Sequence, residues 1–284
     1  MPTLKDLERE IKFLSALKEV SSIYHEIANF QMRKIRKEVL STREFLEGVS
    51  EVYHHVKLAF YKENREKGKK KMDFLEKNKK SVALFLSANE RFYGPLIFHI
   101  WQKLLKELKE YDDLAVAGKI GKQLVQIQQT KKKFFYFELQ DEKPKREEIQ
   151  SLFNFIRRYK KIVIFYGKFQ SIAFQEPQKT DITKELLSEK KFPSREKYLY
   201  YILEPSPEAI LEFFEKEILE ALFYQVISEH QLAKFASRMI AMYQTKENAQ
   251  KNIGLLEKKA RNLKKMAENK KQLQALAIFK IKRI

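Results

Sequence analysis

The sequence predicts an α+β protein in which two long terminal helices pair as an antiparallel coiled coil and a small α/β domain is inserted between them. Apolar residues recur every three or four positions near both ends, and short apolar runs alternate with helical segments in the middle. The 284 residues include only 7 glycines and 7 prolines, which leaves few points at which a helix must end. We therefore divide the chain into an N-terminal helix (1–62), a linker with the α/β domain (63–204) and a C-terminal helix (205–284).

The N-terminal segment has the pattern of one helix from about Thr3 to about Tyr61. Thr3 followed by Asp6 is the pattern of a capping box, and no proline occurs in residues 3–92. The apolar residues expected on its buried face are Leu4, Leu7, Ile11, Leu14, Leu17, Val20, Ile23, Ile27, Phe30, Ile35, Val39 and Phe45. A helix of some 55 residues would be about 80 Å long. Such a helix cannot bury this stripe by itself, so we expect a partner helix.

The next segment, Lys62–Lys80, is rich in lysine and separates the helix from the middle of the chain. Such a run can bind polyanions, but more often it is a solvated loop or a helix end. We treat it as a linker.

The middle of the chain alternates short apolar runs with amphipathic segments. We predict strands at Ser81–Leu86, Leu114–Gly118, Lys133–Leu139 and Lys161–Tyr166, with further strands at Phe169–Phe174 and Tyr198–Leu203, and helices at Leu96–Leu108 and Arg146–Tyr159. Strands that alternate with helices are typical of a mostly parallel sheet with helices on its faces. The predicted domain is therefore Rossmann-like.

The C-terminal segment predicts the longest helix. Ser206 can cap its start with Pro207 at the first helical position, and Gly254 is the single glycine from there to the end. A seam repeats at intervals of four and three through Ala249, Ile253, Leu256, Ala260, Leu263 and Ala267. A seven-residue repeat of this kind predicts a left-handed coiled coil. The helix would be on the order of 120 Å long.

Composition restricts the function. Lys and Arg number 57 against 38 Asp and Glu, a formal net charge of +19, which is compatible with nucleic acid, a membrane surface or an acidic protein as partner. The absence of cysteine excludes disulfides, thiolate metal sites and a cysteine nucleophile. No run of about 18 apolar residues and no apolar signal segment are present, so we expect neither a membrane span nor secretion.

No arrangement of residues predicts an enzyme. Of the five histidines, His99 and His230 lack obvious carboxylate partners, and the adjacent His54 and His55 on the first helix cannot face one ligand together, so we expect no metal site. The turn Gly118–Gly121 follows a strand, but its spacing matches neither common phosphate-binding loop, and we interpret it as a strand-to-helix turn. Asp112–Asp113 and Asp141–Glu142 have no matched acid or base. Aromatic side chains can stack on bases, but most of these lie at core positions. We expect no catalytic residue and no cofactor.

An ordered set of motifs resembles one family. The segments are LKDLEREIK (4–12), IYHEIA (23–28) with MRK (32–34), GKIG (118–121), YGKF (166–169) followed by QEP (175–177), LEPSPEAIL (203–211), and SRMIAM (237–242) followed by Asn248 and Ala249. In this order and spacing they resemble the γ subunit of F-type ATP synthase, its central rotor shaft, over essentially the whole chain.

The resemblance implies a non-catalytic subunit of a rotary, proton-transporting complex. Its implied partners are the α and β subunits (the α3β3 hexamer), an ε subunit and the membrane c-ring, with no direct nucleotide binding and no nucleic acid. The implied location is peripheral, at the cytoplasmic face of the bacterial plasma membrane. The residues implied to contact α3β3 are Arg9, Ile11, Lys12, Arg238, Met239, Met242, Asn248, Lys264 and Lys265. Those implied for the ε and c-ring side are Gly118, Lys119, Gly121, Tyr166, Lys168, Phe169, Glu204 and Pro205.

Several positions depart from the family pattern. Lys264 and Lys265 occupy the place of an Arg-Gln pair that in relatives meets a β-subunit loop, and lysine keeps the charge without the two-pronged guanidinium. Residues 88–97 replace a glycine-rich motif, and Ala233-Lys234-Phe235 replace Ser-Glu-His.

The C-terminal helix carries much of the excess charge. Residues 251–284 hold nine Lys and two Arg against two Glu, a local net of +9. The resemblance implies that this segment lies inside the α3β3 ring near acidic loops of β, where long-range attraction without a fixed register suits a rotating part. The alternatives are a γ-like shaft of an F1-like ATPase not coupled to ion transport and a basic coiled-coil nucleic-acid-binding protein.

Overall fold

The computed structural model describes residues 3–66, 78–130, 132–187, 204 and 206–281. This part of the chain is rich in helix and contains a mixed sheet of five strands. In chain order the elements are α1 (Leu4–Glu66), β1 (Asn78–Leu86), α2 (Leu96–Glu107), a 3-10 turn (Leu108–Glu110), β2 (Asp113–Ala117), α3 (Lys119–Ile127), β3 (Phe134–Phe137), α4 (Arg146–Ile156), β4 (Tyr159–Phe169), β5 (Gln175–Asp181), α5 (Ile182–Leu187) and α6 (Pro207–Ile281).

The chain forms two compact units, and both long helices contribute to each. The helix-pair unit comprises Met1–Ala28 and Arg238–Ile284, and the sheet unit comprises Asn29–Ser237. The division of the chain at residues 62 and 204, made from the sequence, stays a prediction.

The starts of both long helices have the predicted caps. The hydroxyl of Thr3 accepts the Asp6 N–H at 3.2 Å, and the Asp6 carboxylate accepts the Thr3 N–H at 3.0 Å. The Asp6 carboxylate also accepts the Thr3 hydroxyl at 2.7 Å, and this bond, with the one from the Thr3 N–H, holds the pKa of Asp6 below its ordinary value. At the start of α6 the hydroxyl of Ser206 accepts the Ala209 N–H at 3.2 Å. Each cap gives a partner to a backbone N–H that the first helical turn leaves free.

Helix α1 buries a different set of side chains from the predicted stripe. Leu7, Ser21 and Ala28 are buried in the helix-pair unit, and Met32, Ile35, Val39, Leu46, Tyr53 and Val56 in the sheet unit. The prediction is wrong for the exposed residues Val20, Ile23, Ile27, Phe30 and Phe45. Burial recurs at intervals of seven through small residues such as Ser21 and Ala28, which allow a neighbouring helix to approach closely, whereas the predicted stripe contains apolar residues alone.

The predicted seam of α6 is confirmed over most of its length. Ala249, Ile253, Leu256 and Ala260 are 2–9% exposed, and Leu263 is half-buried. The prediction is wrong for Ala267, which is exposed. Leu263 packs in the same cluster as Leu4, the first residue of α1, so no part of α1 remains to cover Ala267.

The sheet has the strand order β3-β2-β1-β4-β5. Strands β3, β2, β1 and β4 are parallel to one another, and β5 is antiparallel to β4. Pro177 lies in β5, where an edge strand can accommodate a residue without an N–H. The four parallel strands agree with the predicted positions.

Two other expectations need correction, and a third is not tested. The strand predicted at Phe169–Phe174 is wrong, because residues 170–174 form a bend and the strand follows at Gln175–Asp181. The linker predicted from Lys62 begins later, because α1 continues to Glu66. The strand predicted at Tyr198–Leu203 lies outside the described residues. Helices α3 and α5 were not among the predicted elements.

Both faces of the sheet are covered within the sheet unit. On one face Leu84 and Ile164 pack with Phe153 of α4 and Phe223 of α6. On the other face Trp101 of α2 lies 5.4 Å from Phe85, measured between ring centroids. Burial on both faces explains why the strands are continuous apolar runs without alternation. The middle of α6, through Leu219, Phe223, Val226 and Ile227, is therefore part of the core of this unit.

Candidate functional site

The helix-pair unit brings the start of α1 beside the later part of α6. Leu7, 2% exposed, forms a buried cluster with Leu256 and Ala260, and Ile11 packs against its border. Farther along, the His25 Nδ1–H donates to the Met239 carbonyl at 3.1 Å. Since residue numbers rise in α1 as they fall in α6, the two helices are antiparallel in this unit. Apolar burial of about 25 cal/mol per Å² stabilises the pair.

The predicted contact residues at the far end of this pair are mostly exposed. Arg9 and Lys12 of α1 and Lys264 and Lys265 of α6 are exposed, and Ile11 is half-buried. The ammonium of Lys264 lies 3.7 Å from the Glu8 carboxylate, with both side chains about half exposed at 56% and 52%. A surface ion pair of this kind contributes little to stability. These charges are therefore available to a partner.

The other predicted contact residues of α6 lie deeper in the same unit. Arg238 is 1% exposed, and its guanidinium carbon lies 5.6 Å from the centre of the Tyr24 ring. Met239 and Met242 are each 7% exposed, and Asn248 is exposed. Arg238 thus contacts α1 within the helix pair. The contact of these residues with partner subunits stays a prediction.

The residues predicted for the opposite end of the molecule lie in the sheet unit. Gly118 is buried between β2 and α3, Lys119 is exposed, and Gly121 is buried. A Cβ placed on Gly121 would lie 2.7 Å from Val116 and 2.8 Å from Ser87, so α3 packs tightly on the strand ends. The predicted strand-to-helix turn is confirmed.

The remaining predicted residues of that set are spread along β4 and beyond it. Tyr166 is buried in β4, whereas Lys168 and Phe169 at the end of the strand are half-buried. Glu204 is exposed, and Pro205 lies outside the described residues.

The first N–H groups of α3 already have partners. The Lys119 N–H donates to the Asn89 side-chain oxygen at 2.9 Å, and the Ile120 N–H donates to the Ala88 carbonyl at 2.8 Å. A helix start binds phosphate through such free N–H groups. This turn therefore serves packing.

The carboxyl ends of the parallel strands meet a buried segment of α6, and we call this region the strand-end junction (Ser87, Asn89, Tyr93, Asp141, Gly167, His230, Lys234 and Ser237). His230 is 1% exposed. Its Nδ1 accepts the Gly167 N–H at 3.1 Å, and its Nε2–H donates to the Ser87 carbonyl at 3.0 Å. Because Nδ1 accepts a hydrogen bond, the ring is neutral. Burial, and next the nearby Lys234 ammonium, lower the pKa of His230 to about 3.

A buried ion pair lies in the same junction. The Lys234 ammonium is 2.5 Å from Asp141 Oδ1, and both side chains are 3% exposed. The other carboxylate oxygen of Asp141 accepts the N–H groups of Asn89 and Glu90 at 2.9 and 2.8 Å. Burial by itself would raise the pKa of Asp141, but Lys234 and these N–H groups together lower it below its ordinary value. Both carboxylate oxygens of Asp141 thus have hydrogen-bond partners, which a buried carboxylate needs.

The sequence reasoning missed this junction. It left Asp141 without a partner and His230 without a role, although Asp141 pairs with Lys234 and His230 joins two strands. A usable signal is present, since Lys234 lies four residues after His230 and both therefore share one face of α6. The pairing with Asp141, 93 residues away in the chain, follows only from the strand order.

Two more carboxylates that the sequence left unmatched have partners. The exposed Asp112 accepts the Ser81 N–H at 2.6 Å, and Asp113 accepts the hydroxyl of Tyr159 at 3.0 Å. Burial, and next the hydrogen bond to Asp113, raise the pKa of Tyr159 to about 12. These contacts join β1 to the start of β2, and β2 to β4, at the amino ends of the strands.

Two searches of the described part of the chain bear on the remaining classes of site. No group of three or more His, Asp or Glu side chains there could hold a metal ion. None of the helices described is long and apolar enough to cross a membrane.

Comparison with known proteins gives a consistent picture. The family model described as ATP synthase matches residues 3–267. The ATP synthase gamma chain of Ruthia magnifica subsp. Calyptogena magnifica is 23% identical over 271 residues, covering 90% of this chain and 92% of the relative. The gamma chain of Mycoplasma mycoides subsp. mycoides SC is 26% identical over 255 residues, covering 88% of each chain.

Solved structures show the same fold. A chain of the Tetrahymena thermophila mitochondrial ATP synthase central stalk and c-ring has a TM-score of 0.57 at 14% identity, covering 79% of this chain and 98% of its own. A chain of the Euglena gracilis mitochondrial ATP synthase, solved with OSCP, F1 and c-ring, has a TM-score of 0.53 at 13% identity, covering 88% and 94%. The model match spans the described residues from Thr3 through most of α6, so the chain belongs to the ATP synthase family, among its gamma chains.

Proposed function

We propose that this chain is the central rotor shaft of an F-type ATP synthase, which couples ion flow through a membrane c-ring to ATP synthesis or hydrolysis at α3β3 by rotating. The observation that carries this proposal is the family match along residues 3–267, which includes both long helices and the sheet unit. The gamma chains that it resembles align with it over most of their own length.

The shaft itself is the helix pair, as an antiparallel coiled coil. In support, Leu7, Leu256 and Ala260 are buried between α1 and α6, and buried residues recur in α6 at intervals of four and three. Past Leu263 the helix continues for 18 residues to Ile281, about 27 Å, and residues 264–274 are exposed. An exposed basic helix end is suited to a position inside a ring of subunits, where Lys264 and Lys265 would face acidic loops of β.

The sheet unit is a Rossmann-like domain that rests on the c-ring and an ε-type subunit. Its parallel strands and covering helices support that assignment of fold. In domains of this kind ligands bind where the strand order reverses, outside the carboxyl ends of the strands. Here that place holds His230 and Lys234 of α6, and the first N–H groups of α3 have partners within the chain. This chain accordingly binds no nucleotide and is not catalytic, and the chemistry belongs to the α and β subunits.

The proposed location is the cytoplasmic face of a bacterial plasma membrane, as a peripheral part of the complex. Bacterial gamma chains among the relatives support this placement.

Reconstitution tests the proposal. The chain, expressed with the other subunits of an F-type ATP synthase from its own organism, should give a stable complex. Supplied with ATP in sealed vesicles, that complex should rotate and pump ions. A complex that hydrolyses ATP and rotates without pumping would instead support an uncoupled F1-like ATPase. A free chain that binds duplex DNA with a steep dependence on salt would support a nucleic-acid-binding protein.

A further inference from the structure

The strand-end junction holds one face of α6 through directional bonds. His230, Lys234 and Ser237 follow one another at intervals of four and three, so they share a face of the helix. His230 reaches the end of β1 and the backbone of β4, Lys234 reaches Asp141 beyond β3, and the Ser237 hydroxyl donates to the Tyr93 carbonyl at 2.8 Å. Two turns of one helix are therefore tied to three separate parts of the sheet unit.

These bonds differ in kind from the apolar contacts nearby. Upstream, Leu219, Phe223 and Ile227 of α6 pack on the sheet, and apolar contacts of this type do not depend on direction. A hydrogen bond weakens steeply once its angle changes, and a buried one is not replaced by water when it breaks. His230, Lys234 and Ser237 are 1%, 2% and 7% exposed. Rotation of α6 about its own axis would therefore be opposed by the junction far more than by the apolar contacts.

We propose that Lys234, Asp141 and His230 are positioning residues that lock α6 to the sheet unit against twisting, so that torque passes between this domain and the shaft helix. The inference rests on the proposed function, because torque has meaning only in a rotor. Helix α6 is unbroken from Pro207 to Ile281, so the segment held by the junction is covalently continuous with the exposed basic end. None of the three residues touches a substrate.

The test measures angular stiffness in the assembled complex. The chain has no cysteine, so Lys160→Cys, at an exposed site near the start of β4, gives a single attachment point for a rotation probe on the sheet unit. With α3β3 fixed to a surface and hydrolysis stalled, the variance of the probe angle reports the torsional stiffness between ring and domain. We expect Lys234→Met to raise this variance by roughly twofold or more, since a buried directional contact is lost.

Two further variants separate loss of the lock from loss of the fold. Asp141→Asn keeps an oxygen for the N–H groups of Asn89 and Glu90 but removes the charge that holds Lys234, and it should raise the variance as Lys234→Met does. The double variant should raise it no further than either single change, because both remove one contact. The matched control is Lys216→Met, the same substitution at an exposed position of α6, which should leave the variance unchanged.

The outcomes are distinguishable from failure of the proposed function. A wild-type complex that does not assemble or rotate overturns the rotor itself. A rotating wild type with folded Lys234→Met and Asp141→Asn complexes of unchanged variance overturns the lock alone. If Lys234→Met does not assemble, the nearly isosteric Asp141→Asn decides the question by the same measurement.

Discussion

At the residue scale, Gly118 has a conformation that other residues avoid. Its φ is +102°, and a Cβ at this position would lie 2.9 Å from the backbone nitrogen and oxygen of Ala88. The Gly118 N–H also donates to the Phe137 carbonyl at 3.1 Å, so the turn cannot move away without breaking a contact with β3. The glycine therefore serves the close approach of β2 to the segment after β1.

Gly118→Ala should lower the free energy of unfolding by about 2 kcal/mol or more, because both the positive φ and the contact with Ala88 oppose a side chain. Urea unfolding followed by circular dichroism measures the change. Gly48→Ala is the control, since Gly48 lies within α1 with nothing within 4 Å of the added Cβ. That change should raise stability by about 0.5–1 kcal/mol. Equal effects at both positions would contradict the argument.

His230 makes the stability of the sheet unit depend on pH. Its pKa in the folded chain is about 3, below its ordinary value of 6.5. Between these two pH values the unfolded chain therefore binds a proton at this residue that the folded chain does not bind. Stability from this residue is thus fully present above pH 6.5 and is lost as the pH falls from 6.5 towards 3. Between pH 6.5 and pH 5 the loss is about 2 kcal/mol.

His230→Gln should remove this part of the pH dependence. Urea unfolding at pH 7 and pH 5 gives the difference for the wild type and the variant, and the variant should lose about 2 kcal/mol less between them. His99→Gln, at an exposed histidine of α2, is the matched control and should behave as the wild type does. If the free energy of unfolding changed equally with pH in the wild type and in His230→Gln, the buried ring would not be the cause of this pH dependence.

At the scale of elements, the α6 seam has a sharp end. Ala260 is 8% exposed and Ala267 is exposed, although they occupy the same position of the seven-residue repeat. The difference arises because α1 begins at Leu4 and offers nothing to pack against Ala267. The repeat in one helix thus needs a facing helix before it becomes an interface.

Ala260→Glu and Ala267→Glu therefore make a matched pair. A carboxylate at position 260 would be buried against Leu7 without a partner, and we expect a loss of about 2 kcal/mol or more. At position 267 the same side chain meets solvent, and the change should stay within about 0.5 kcal/mol. Thermal unfolding and hydrogen exchange over residues 249–263 measure both. Equal losses in the two variants would contradict the position of the seam's end.

At the scale of the whole molecule, charge is concentrated where the proposed rotor meets its ring. Residues 251–284 carry a net +9 of the chain's +19. Lys264 and Lys265 are exposed, and the one ion pair that Lys264 makes, with Glu8, is 3.7 Å long and on the surface. Such charges contribute little to folding and most to association with an oppositely charged partner.

The double variant Lys264→Glu/Lys265→Glu should lower ATP-driven ion pumping of the reconstituted complex by roughly thirtyfold, since reversed charges at a complementary interface cost about 1 kcal/mol each. The free energy of unfolding of the isolated chain should change by less than about 0.5 kcal/mol. Lys143→Glu/Lys216→Glu, at two exposed lysines of the sheet unit, makes the same change in net charge and should keep pumping intact. If both double variants lost ion pumping equally, the cause would be the change in total charge and not the charges at the end of the helix.

The amino-acid sequence by itself determined the long helices, the four parallel strands and the family. These features depend on residues that are close together in the chain, so a local sequence pattern predicts them. Examples are the helix cap Thr3–Asp6, the apolar runs of the strands and the seam from Ala249 to Leu263.

The tertiary structure alone decided which faces are covered. Phe30 is apolar but 67% exposed, and Ser21 is polar but 1% exposed, because burial depends on where a second element lies. The same holds for the strand-end junction. Asp141 lies in a loop and Lys234 on a helix, 93 residues apart in the chain. They form a buried pair only because the strand order brings β3, β1 and β4 under α6.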